Sequence, residues 1–264
     1  MPPHESESSP DSTFRHILGM RVDATSYEEV ADAVLRWVGG DRARFVAVAT
    51  VNNVMQAHDS EEFASIMRAA DLVTPDGMPL VWGLRVLGLA SATRVYGPDL
   101  VPFLLRRAEA ERSRVGFYGG QRALLKQLVG SLTRQFPALE IGFCHAPPFR
   151  EPTEEEDRMV REQLATSQVR LLFVGLSTPK QERWIYAHQD TFPAVMLGVG
   201  AAFDFLAGVK PQAPRWMMRA GLEWFFRLAT EPRRLWRRYL LQNPRFVILF
   251  LMQLLGLKRF SSVP

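Results

Sequence analysis

Short apolar runs alternate with helical patterns along most of the chain. Between residues 14 and 208 these runs have the length of buried strands, and most end in Gly, Ser, Thr or Asn. The clearest predicted strands are residues 43–50, 114–120, 139–144, 169–178 and 193–201. This alternation is typical of an α/β fold, in which helices flank a largely parallel, Rossmann-like sheet. Ligands of such sheets bind at the carboxyl ends of the strands, so the residues that follow each strand are candidates for chemistry.

Several of the intervening segments carry helix signals. Residues 60–70 repeat apolar side chains at helical spacing behind Ser60, which is a favourable N-cap. Residues 121–136 show the same periodicity. Thr153 and Glu156 fit a capping box, so the acidic run at this point is explained by the start of a helix rather than by a metal site.

The strand pattern stops after Gly208, and residues 209–264 form a basic, aromatic helical appendage to the α/β domain of residues 14–208. Pro232 and Pro244 divide it into three predicted helices, because proline is tolerated in a first helical turn but not in a helix interior. The first predicted helix carries four charged side chains on one i, i+4 face: Arg215, Arg219, Glu223 and Arg227.

The last predicted helix, FVILFLMQLLGL, has 12 residues and one polar position. It is too short to cross a hydrocarbon core of about 30 Å, which takes about 20 residues. One interpretation is a helix that lies on a membrane with Lys258 and Arg259 at its edge. The other is a packed helical layer or a homo-oligomer interface, and composition alone does not choose between them.

Composition and charge narrow the class of protein. The 264 residues are 47% hydrophobic and 23% charged, which is typical of a globular chain. Cys144 is the sole cysteine, so an intramolecular disulfide is excluded and a reducing, cytoplasmic compartment is expected. Residues 1–13 are rich in Pro, Ser and acidic side chains, which predicts a flexible tail rather than a secretory signal.

The net charge of +4 hides an asymmetry between the two ends of the chain. Residues 210–264 hold eleven Lys or Arg against two Asp or Glu, and the remainder holds twenty-one against twenty-six. A basic segment of this kind implies an anionic partner, which can be nucleic acid, a phosphorylated ligand or an acidic membrane surface.

Familiar cofactor and metal signatures are absent from the sequence. It contains no G-x-G-x-x-G, G-x-x-x-x-G-K-[ST], H-E-x-x-H or G-x-S-x-G motif, so NAD-linked and P-loop chemistry lose support. No D-x-D stands at the end of a strand and no Cys/His cluster has zinc spacing. We therefore expect no cofactor and no metal, with backbone amides and arginines meeting any diphosphate.

Polar residues near the first strand ends form one group of candidates. Thr50 and Asn52 follow an apolar strand and can hydrogen-bond a ligand, or they can simply cap a helix. Asp76 stands in a Pro-Asp-Gly segment, which is usually only a turn, but its apolar surroundings suit a positioned base. Arg94 can pair with a phosphate or a carboxylate.

Later strand ends supply a second group. Gly119 and Gly120 join a strand to a helix, where a phosphate or sugar can approach backbone amides, although such a pair alone is weak evidence. Lys180 and Gln181 lie in a polar loop directly after a very apolar strand, and a capped surface helix is the plain alternative. Asp204 can bond ribose hydroxyls or cap a turn.

These segments, in this order, resemble the WecG/TagA/CpsF glycosyltransferases, also called glycosyltransferase family 26, from about residue 17 to residue 250. The motifs that carry the resemblance are T-x-N at 50–52, P-D-G at 75–77, R-x-x-G-x-D-L at 94–100, Y-G-G at 118–120, P-K-Q-E at 179–182, G-x-G-x-x-x-D at 198–204 and E-W-x-x-R-L-x-x-E-P-x-R at 223–234. Ser177 and Thr178 depart from the small residues expected before P-K-Q-E, which puts the donor pocket in question.

The resemblance implies a bacterial, metal-independent, inverting enzyme on the inner face of the plasma membrane. It would move a sugar from a UDP donor to a polyprenyl-diphosphate-linked sugar in surface polysaccharide synthesis. The transferred sugar would be N-acetylmannosamine, its uronic acid or glucose. A uronic acid would call for an extra cation, and Lys180 or Arg183 could supply it.

The resemblance also implies roles for individual residues. Asp76 would be the general base, and an ordinary Asp pKa of about 3.9 suffices because the attacked hydroxyl becomes acidic as its bond to carbon forms. The other roles would fall to Thr50 and Asn52 at the reacting sugars, Arg94 and Gln181 in the same pocket, Gly119, Gly120, Lys180 and Asp204 at the nucleotide, and Arg227, Arg234 and Arg237 at the lipid diphosphate.

Two other classes of function stay open from the residues. The Arg- and Trp-rich appendage is compatible with nucleic-acid binding, but we find no RRM, KH or helix-turn-helix signature and expect no nucleic-acid partner. An α/β enzyme that uses another nucleotide, such as a methyltransferase, is possible because a fold does not determine a function.

Overall fold

The computed structural model describes residues 13–260, so residues 1–12 of the predicted tail lie outside the described residues. Six of its strands form one parallel sheet in the order β4-β3-β8-β7-β5-β6, and two form a separate antiparallel hairpin. The strands are β1 (Phe14–Ile17), β2 (Met20–Asp23), β3 (Arg44–Ala49), β4 (Leu72–Pro75), β5 (Val115–Gly119), β6 (Ile141–His145), β7 (Leu171–Gly175) and β8 (Val195–Gly198).

Helices cover both faces of the sheet, and a further set of helices forms the appendage at the end of the chain. The helices of the α/β part are α1 (Tyr27–Val38), α2 (Val51–Asp59), α3 (Glu61–Arg68), α4 (Met78–Val86), α5 (Gly97–Ala110), α6 (Arg122–Gln135), α7 (Glu154–Ser167), α8 (Lys180–His188) and α9 (Ala202–Leu206). Those of the appendage are α10 (Arg215–Arg219), α11 (Glu223–Thr230), α12 (Pro232–Arg237), a π-helical turn (Arg238–Gln242) and α13 (Asn243–Leu254).

The core consists of two apolar layers, one on each face of the sheet. Strand β3 shows how they are divided: Phe45 and Ala47 belong to one layer, whereas Val46 and Val48 belong to the other. Side chains of a strand alternate between its faces, so a run that is apolar throughout fits a strand that is buried on both. This arrangement confirms the predicted parallel α/β fold with flanking helices.

The five strands predicted most clearly are all present. Their ends are shorter than predicted by one to three residues, except that β6 ends one residue later, at His145. Strand β4 and the hairpin were not among them, because a four-residue strand is too short to show a periodicity. The hairpin turns at Leu18 and Gly19, which both have positive φ, as a two-residue connection between antiparallel strands requires.

The predicted helix starts are confirmed at two places. Ser60 accepts a hydrogen bond from the backbone of Phe63 at the start of α3. Thr153 and Glu156 form a complete capping box at the start of α7, which accounts for the acidic run there.

The prediction of three appendage helices is wrong. Gly221, at φ +71°, breaks the first of them, so Arg215 and Arg219 lie on α10 while Glu223 and Arg227 lie on α11. These four side chains therefore do not share one helical face. Pro232 stands in the first turn of α12, as predicted. Pro244 does not divide two helices, because the π-helical turn runs directly into α13 and Gln242 and Asn243 keep helical φ and ψ.

Helix α13 is packed on the protein along one side. Phe246 is buried in the core, and Gln253 donates from Nε2 to the carbonyl of His16 and accepts at Oε1 from the backbone N–H of Leu18, both at 2.8 Å. Arg245 forms two hydrogen bonds to Asp59 of α2, at 2.6 and 2.7 Å. Within residues 13–260, no helix has both the length and the apolar character needed to span a membrane.

Candidate active site

A cleft opens at the carboxyl ends of four neighbouring strands, β4, β3, β8 and β7, and the appendage covers it. It comprises two adjoining cavities that share Thr50, Asp76, Arg227 and Arg238, and the larger has a volume of about 320 Å³. The strands stand side by side although they are far apart in sequence, so residues from separate loops meet here.

Asp76 lies at the base of the cleft, directly after β4. Its backbone N–H donates to the carbonyl of Ala49 at 2.8 Å, which ties the Pro-Asp-Gly segment to the end of β3. Its side chain is 17% exposed, and Arg94 Nη2 lies 3.1 Å from Oδ1. Burial raises the pKa of Asp76 to about 6, and the adjacent Arg94 opposes that rise. Asp76 is therefore a stronger base than an ordinary aspartate.

Arg94 is held from three directions. Its Nε donates to the backbone carbonyl of Asp76, its Nη2 also donates to Glu223 Oε2 at 2.5 Å, and the guanidinium carbon lies 4.3 Å from the centre of the Tyr96 ring. Glu223 comes from α11, so this arginine joins the α/β part to the appendage.

Thr50 and Asn52 line the larger cavity, as expected. Thr50 is the N-cap of α2, and its Oγ1 accepts a hydrogen bond from Arg238 Nη2 at 3.0 Å. The neighbouring Asn53 is fully buried and accepts from the Thr50 backbone N–H at Oδ1, at 3.0 Å. Thr50 thus serves both as a helix cap and as a contact for the appendage.

Gln181 also lines the cleft, next to the buried Glu182 that sequence reasoning missed. Gln181 Oε1 accepts from the backbone N–H of Gly200 at 2.9 Å. Glu182 Oε1 accepts from Thr178 Oγ1 and Asn53 Nδ2, both at 2.8 Å, and from Gln181 Nε2 at 3.1 Å. Burial raises the pKa of Glu182, because its side chain is almost completely removed from water.

Three arginines of the appendage line the cleft: Arg227, Arg234 and Arg238. Arg227 Nε is buried and has no hydrogen-bond partner among the described residues, so it is available to donate to an anionic ligand. Arg237 is exposed, lies over the Trp236 ring at 5.3 Å and does not line either cavity, so its assignment to the lipid diphosphate stays a prediction. Successive residues of a helix point in different directions, so Arg238 faces the cleft instead.

The other predicted residues lie outside the cavity linings. Gly119 has a φ of +126°, and a Cβ there would be 2.6 Å from the carbonyl oxygen of Gly175, so strand packing already explains this glycine. Gly120 follows it at the end of β5, one strand beyond β7. Lys180 is exposed at the start of α8, and Asp204 lies 3.7 Å from Lys210 Nζ.

The arrangement places the carboxyl groups of Asp76 and Glu223 beside several guanidinium groups. Asp76 can accept a proton, while Arg227, Arg234 and Arg238 can hold a polyanion such as a diphosphate. Within residues 13–260, no three His, Cys, Asp or Glu side chains are grouped so that they could hold a metal ion.

Comparisons with known proteins agree with this chemistry. The model of the glycosyl transferase WecG/TagA/CpsF family matches residues 15–260. A protein of Bacillus spizizenii named N-acetylglucosaminyldiphosphoundecaprenol N-acetyl-beta-D-mannosaminyltransferase is 30% identical over 227 residues, which are 86% of each chain. A protein of the same name from Bacillus subtilis is 28% identical, over 82% of this chain and 83% of its own. Another from Staphylococcus aureus is 25% identical, over 84% of this chain and 86% of its own. The extent of the family match shows that this chain belongs to the glycosyl transferase WecG/TagA/CpsF family.

Proposed function

We propose that the protein transfers N-acetylmannosamine from a UDP donor to N-acetylglucosaminyl-diphospho-undecaprenol with inversion at the anomeric carbon. The acceptor and the transferred sugar follow from the names of its relatives. The observation that carries the proposal is the mostly buried Asp76 carboxyl group in a cleft that three arginines of the appendage also line. A base and a set of anion donors are what a displacement of UDP needs.

Asp76 would take the proton of the attacking acceptor hydroxyl. In an inverting displacement that hydroxyl approaches the anomeric carbon from the face opposite UDP, so one carboxylate must lie within hydrogen-bond reach of it. With a pKa of about 6, Asp76 is mostly ionised at pH 7 and is still basic enough to accept the proton. The ordinary pKa expected from the sequence would also serve, but the raised value makes proton transfer easier.

The appendage arginines would stabilise the charge that develops on the leaving UDP or lies on the lipid diphosphate. Charge-assisted hydrogen bonds from guanidinium to phosphate are strong, and a half-covered cleft weakens them less than bulk water does. Arg227, Arg234 and Arg238 line the same cavity as Asp76. We propose that these groups suffice without a metal ion.

The choice of N-acetylmannosamine over its uronic acid rests on the names of the relatives. The two cations considered for a donor carboxylate, Lys180 and Arg183, do not line the cavities. Arg183 instead pairs with Glu62 on the outside, at 3.2 Å. The assignment of the nucleotide to Gly119, Gly120, Lys180 and Asp204 stays a prediction.

We also propose that the exposed side of the appendage rests on the cytoplasmic face of the membrane, where the lipid acceptor resides. Helix α13 and the turn that follows it expose a set of large apolar side chains: Val247, Ile248, Leu251, Leu254, Leu255 and Leu257. Lys258 and Arg259 follow, and such cations favour anionic lipid headgroups.

The test measures UDP release from UDP-N-acetylmannosamine, its uronic acid and UDP-glucose, with the lipid-diphosphate acceptor in detergent and EDTA. We expect release with the first donor alone, unaffected by EDTA. Asp76→Asn should lower kcat by about 10²- to 10⁴-fold. Asp99→Asn is the matched control, since Asp99 pairs with Arg215 away from the cleft. Full activity of Asp76→Asn would refute the proposed role of Asp76 as the base. Loss of activity in EDTA would refute the proposal that the reaction needs no metal ion.

A further inference from the structure

One guanidinium joins two carboxyl groups that belong to different parts of the protein. Arg94 Nη2 lies 3.1 Å from Asp76 Oδ1 and 2.5 Å from Glu223 Oε2. All three side chains are mostly buried, with 16%, 17% and 13% exposed for Arg94, Asp76 and Glu223. Two carboxylates that share one nitrogen divide its charge between them.

The two carboxyl groups reach Arg94 by different routes. Asp76 and Arg94 belong to the loops after β4 and before α5, so their pair exists within the α/β part. Glu223 is the first residue of α11 and arrives with the appendage. Docking of the appendage therefore changes the charge that Asp76 experiences.

We propose that Glu223 is a positioning residue that shares the Arg94 guanidinium with Asp76, so that docking of the appendage weakens the hold of Arg94 on the proposed base. The inference rests on the proposed role of Asp76 as the base. From the sequence, Glu223 was predicted only to lie on a charged helix face, without a role in the site.

The other groups that face Asp76 do not replace Glu223. Arg227 of α11 and Arg238 of the π-helical turn are cations, which favour ionised Asp76. Tyr96 and Tyr27 have pKa values raised by burial and stay neutral. Among residues 13–260, Glu223 is the one carboxylate besides Asp76 that lines either of the two cavities.

The direction of the effect follows from these charges. Burial is the main cause of the raised pKa of Asp76, Arg94 opposes it, and the negative charge of Glu223 adds to it. Removing that charge frees Arg94 for Asp76 and lowers the pKa of Asp76. The ionised base then persists to lower pH but accepts a proton less readily.

The first experiment is the pH profile of kcat/KM for wild type, Glu223→Gln and Asp99→Asn. Asp99 is a matched control because its ion pair with Arg215, at 2.6 Å, likewise joins the α/β part to the appendage, but Asp99 lies outside the cavity linings. We expect the acidic limb of Glu223→Gln to move down by about one pH unit and its plateau to fall about tenfold. The limb of Asp99→Asn should not move. An acidic limb of Glu223→Gln at the wild-type pH overturns the inference.

A second measurement does not need activity. Because the ionised form of Asp76 lowers the stability of the folded protein, Asp76→Asn should raise the melting temperature at pH 8. If the charge of Glu223 disfavours ionised Asp76, Asp76→Asn should raise the melting temperature less in a Glu223→Gln background than in wild type. An equal or larger gain overturns the inference. Full activity of Asp76→Asn, by contrast, would refute the proposed function and leave this electrostatic link standing.

Discussion

The Asp76 carboxyl group lies among protein atoms at the base of the cleft, where burial raises its pKa to about 6. The same burial that suits it to the proposed role of base makes its ionised form unfavourable in the folded protein. In an unfolded chain an aspartate titrates near 3.9. The folded protein therefore loses stability as the pH rises from about 4 to 6, and that loss remains at higher pH.

Asp76→Asn is accordingly expected to stabilise the protein while it abolishes activity. The shift of about two pH units corresponds to about 3 kcal/mol at pH 8, and roughly half of this at pH 5, where folded Asp76 is largely protonated. Thermal unfolding at the two pH values measures the gain. A gain that does not grow with pH would contradict the assigned burial of the charge.

Glu182 supports the cleft without lining it. Its Oε1 collects three donors, from Asn53, Thr178 and Gln181, and so links the loops after β3 and β7. The raised pKa of this buried group favours the neutral acid. The sequence signal was present in P-K-Q-E, but only the fold shows that the glutamate faces inward.

We expect Glu182→Ala to lower the free energy of unfolding by about 2–4 kcal/mol, because buried donors lose their acceptor. Glu182→Gln retains an amide oxygen at the same place and should cost less than 1 kcal/mol, by the same estimate. Urea denaturation compares the two variants. Equal losses would show that the carboxyl oxygen does not organise these donors.

At the scale of elements, strand order decides which loops form the site. The loops after β3, β4, β7 and β8 meet because those strands are neighbours, whereas the loop after β5 lies one strand further out. This explains why Gly119 and Gly120 stand outside the cavities although their motif resembled a phosphate loop. A gap of one strand is about 4.8 Å, enough to move a loop from the wall of a cleft to its rim.

The two glycines should respond differently to alanine. A Cβ on Gly119 meets the Gly175 backbone at 2.6 Å, but on Gly120 it meets the movable end of Leu124 at 2.9 Å. We expect Gly119→Ala to cost about 2–4 kcal/mol and Gly120→Ala about 1–2 kcal/mol, since both also hold a positive φ. Chemical denaturation measures the loss. Weakened UDP binding by Gly120→Ala with little loss of stability would support the nucleotide assignment.

At the scale of the whole molecule, the appendage is docked on one side and bare on the other. Phe246 and Gln253 attach α13 to the core and the hairpin, while Ile248 and Leu255 are 59% and 71% exposed. Packing is therefore observed on one side of α13, and membrane contact stays a proposal for the other side.

Replacement of both Ile248 and Leu255 by Glu should abolish binding to vesicles of phosphatidylglycerol and phosphatidylcholine, because it places two charges in the proposed contact face. The melting temperature should change by less than about 3 °C, since both side chains are exposed. Met159→Glu, an exposed apolar position on α7, is the control and should bind as wild type does. Co-sedimentation with the vesicles measures binding. Unchanged binding of the double variant would show that this face does not contact the membrane.

The local pattern of the sequence determined the alternating strands and helices, the caps at Ser60 and Thr153, and the polar residues at strand ends, because these depend on neighbours in the chain. It also marked Asp76, Arg94 and Gln181 as candidates. Tertiary structure decided the rest. Strand order places Gly119 and Gly120 outside the cleft, and the break at Gly221 separates the charged side chains of the appendage. The direction of successive helical residues places Arg238, and not Arg237, in the lining of the cleft. The raised pKa of Asp76 and its link to Glu223 arise from burial and from contacts between distant segments, which no local pattern records.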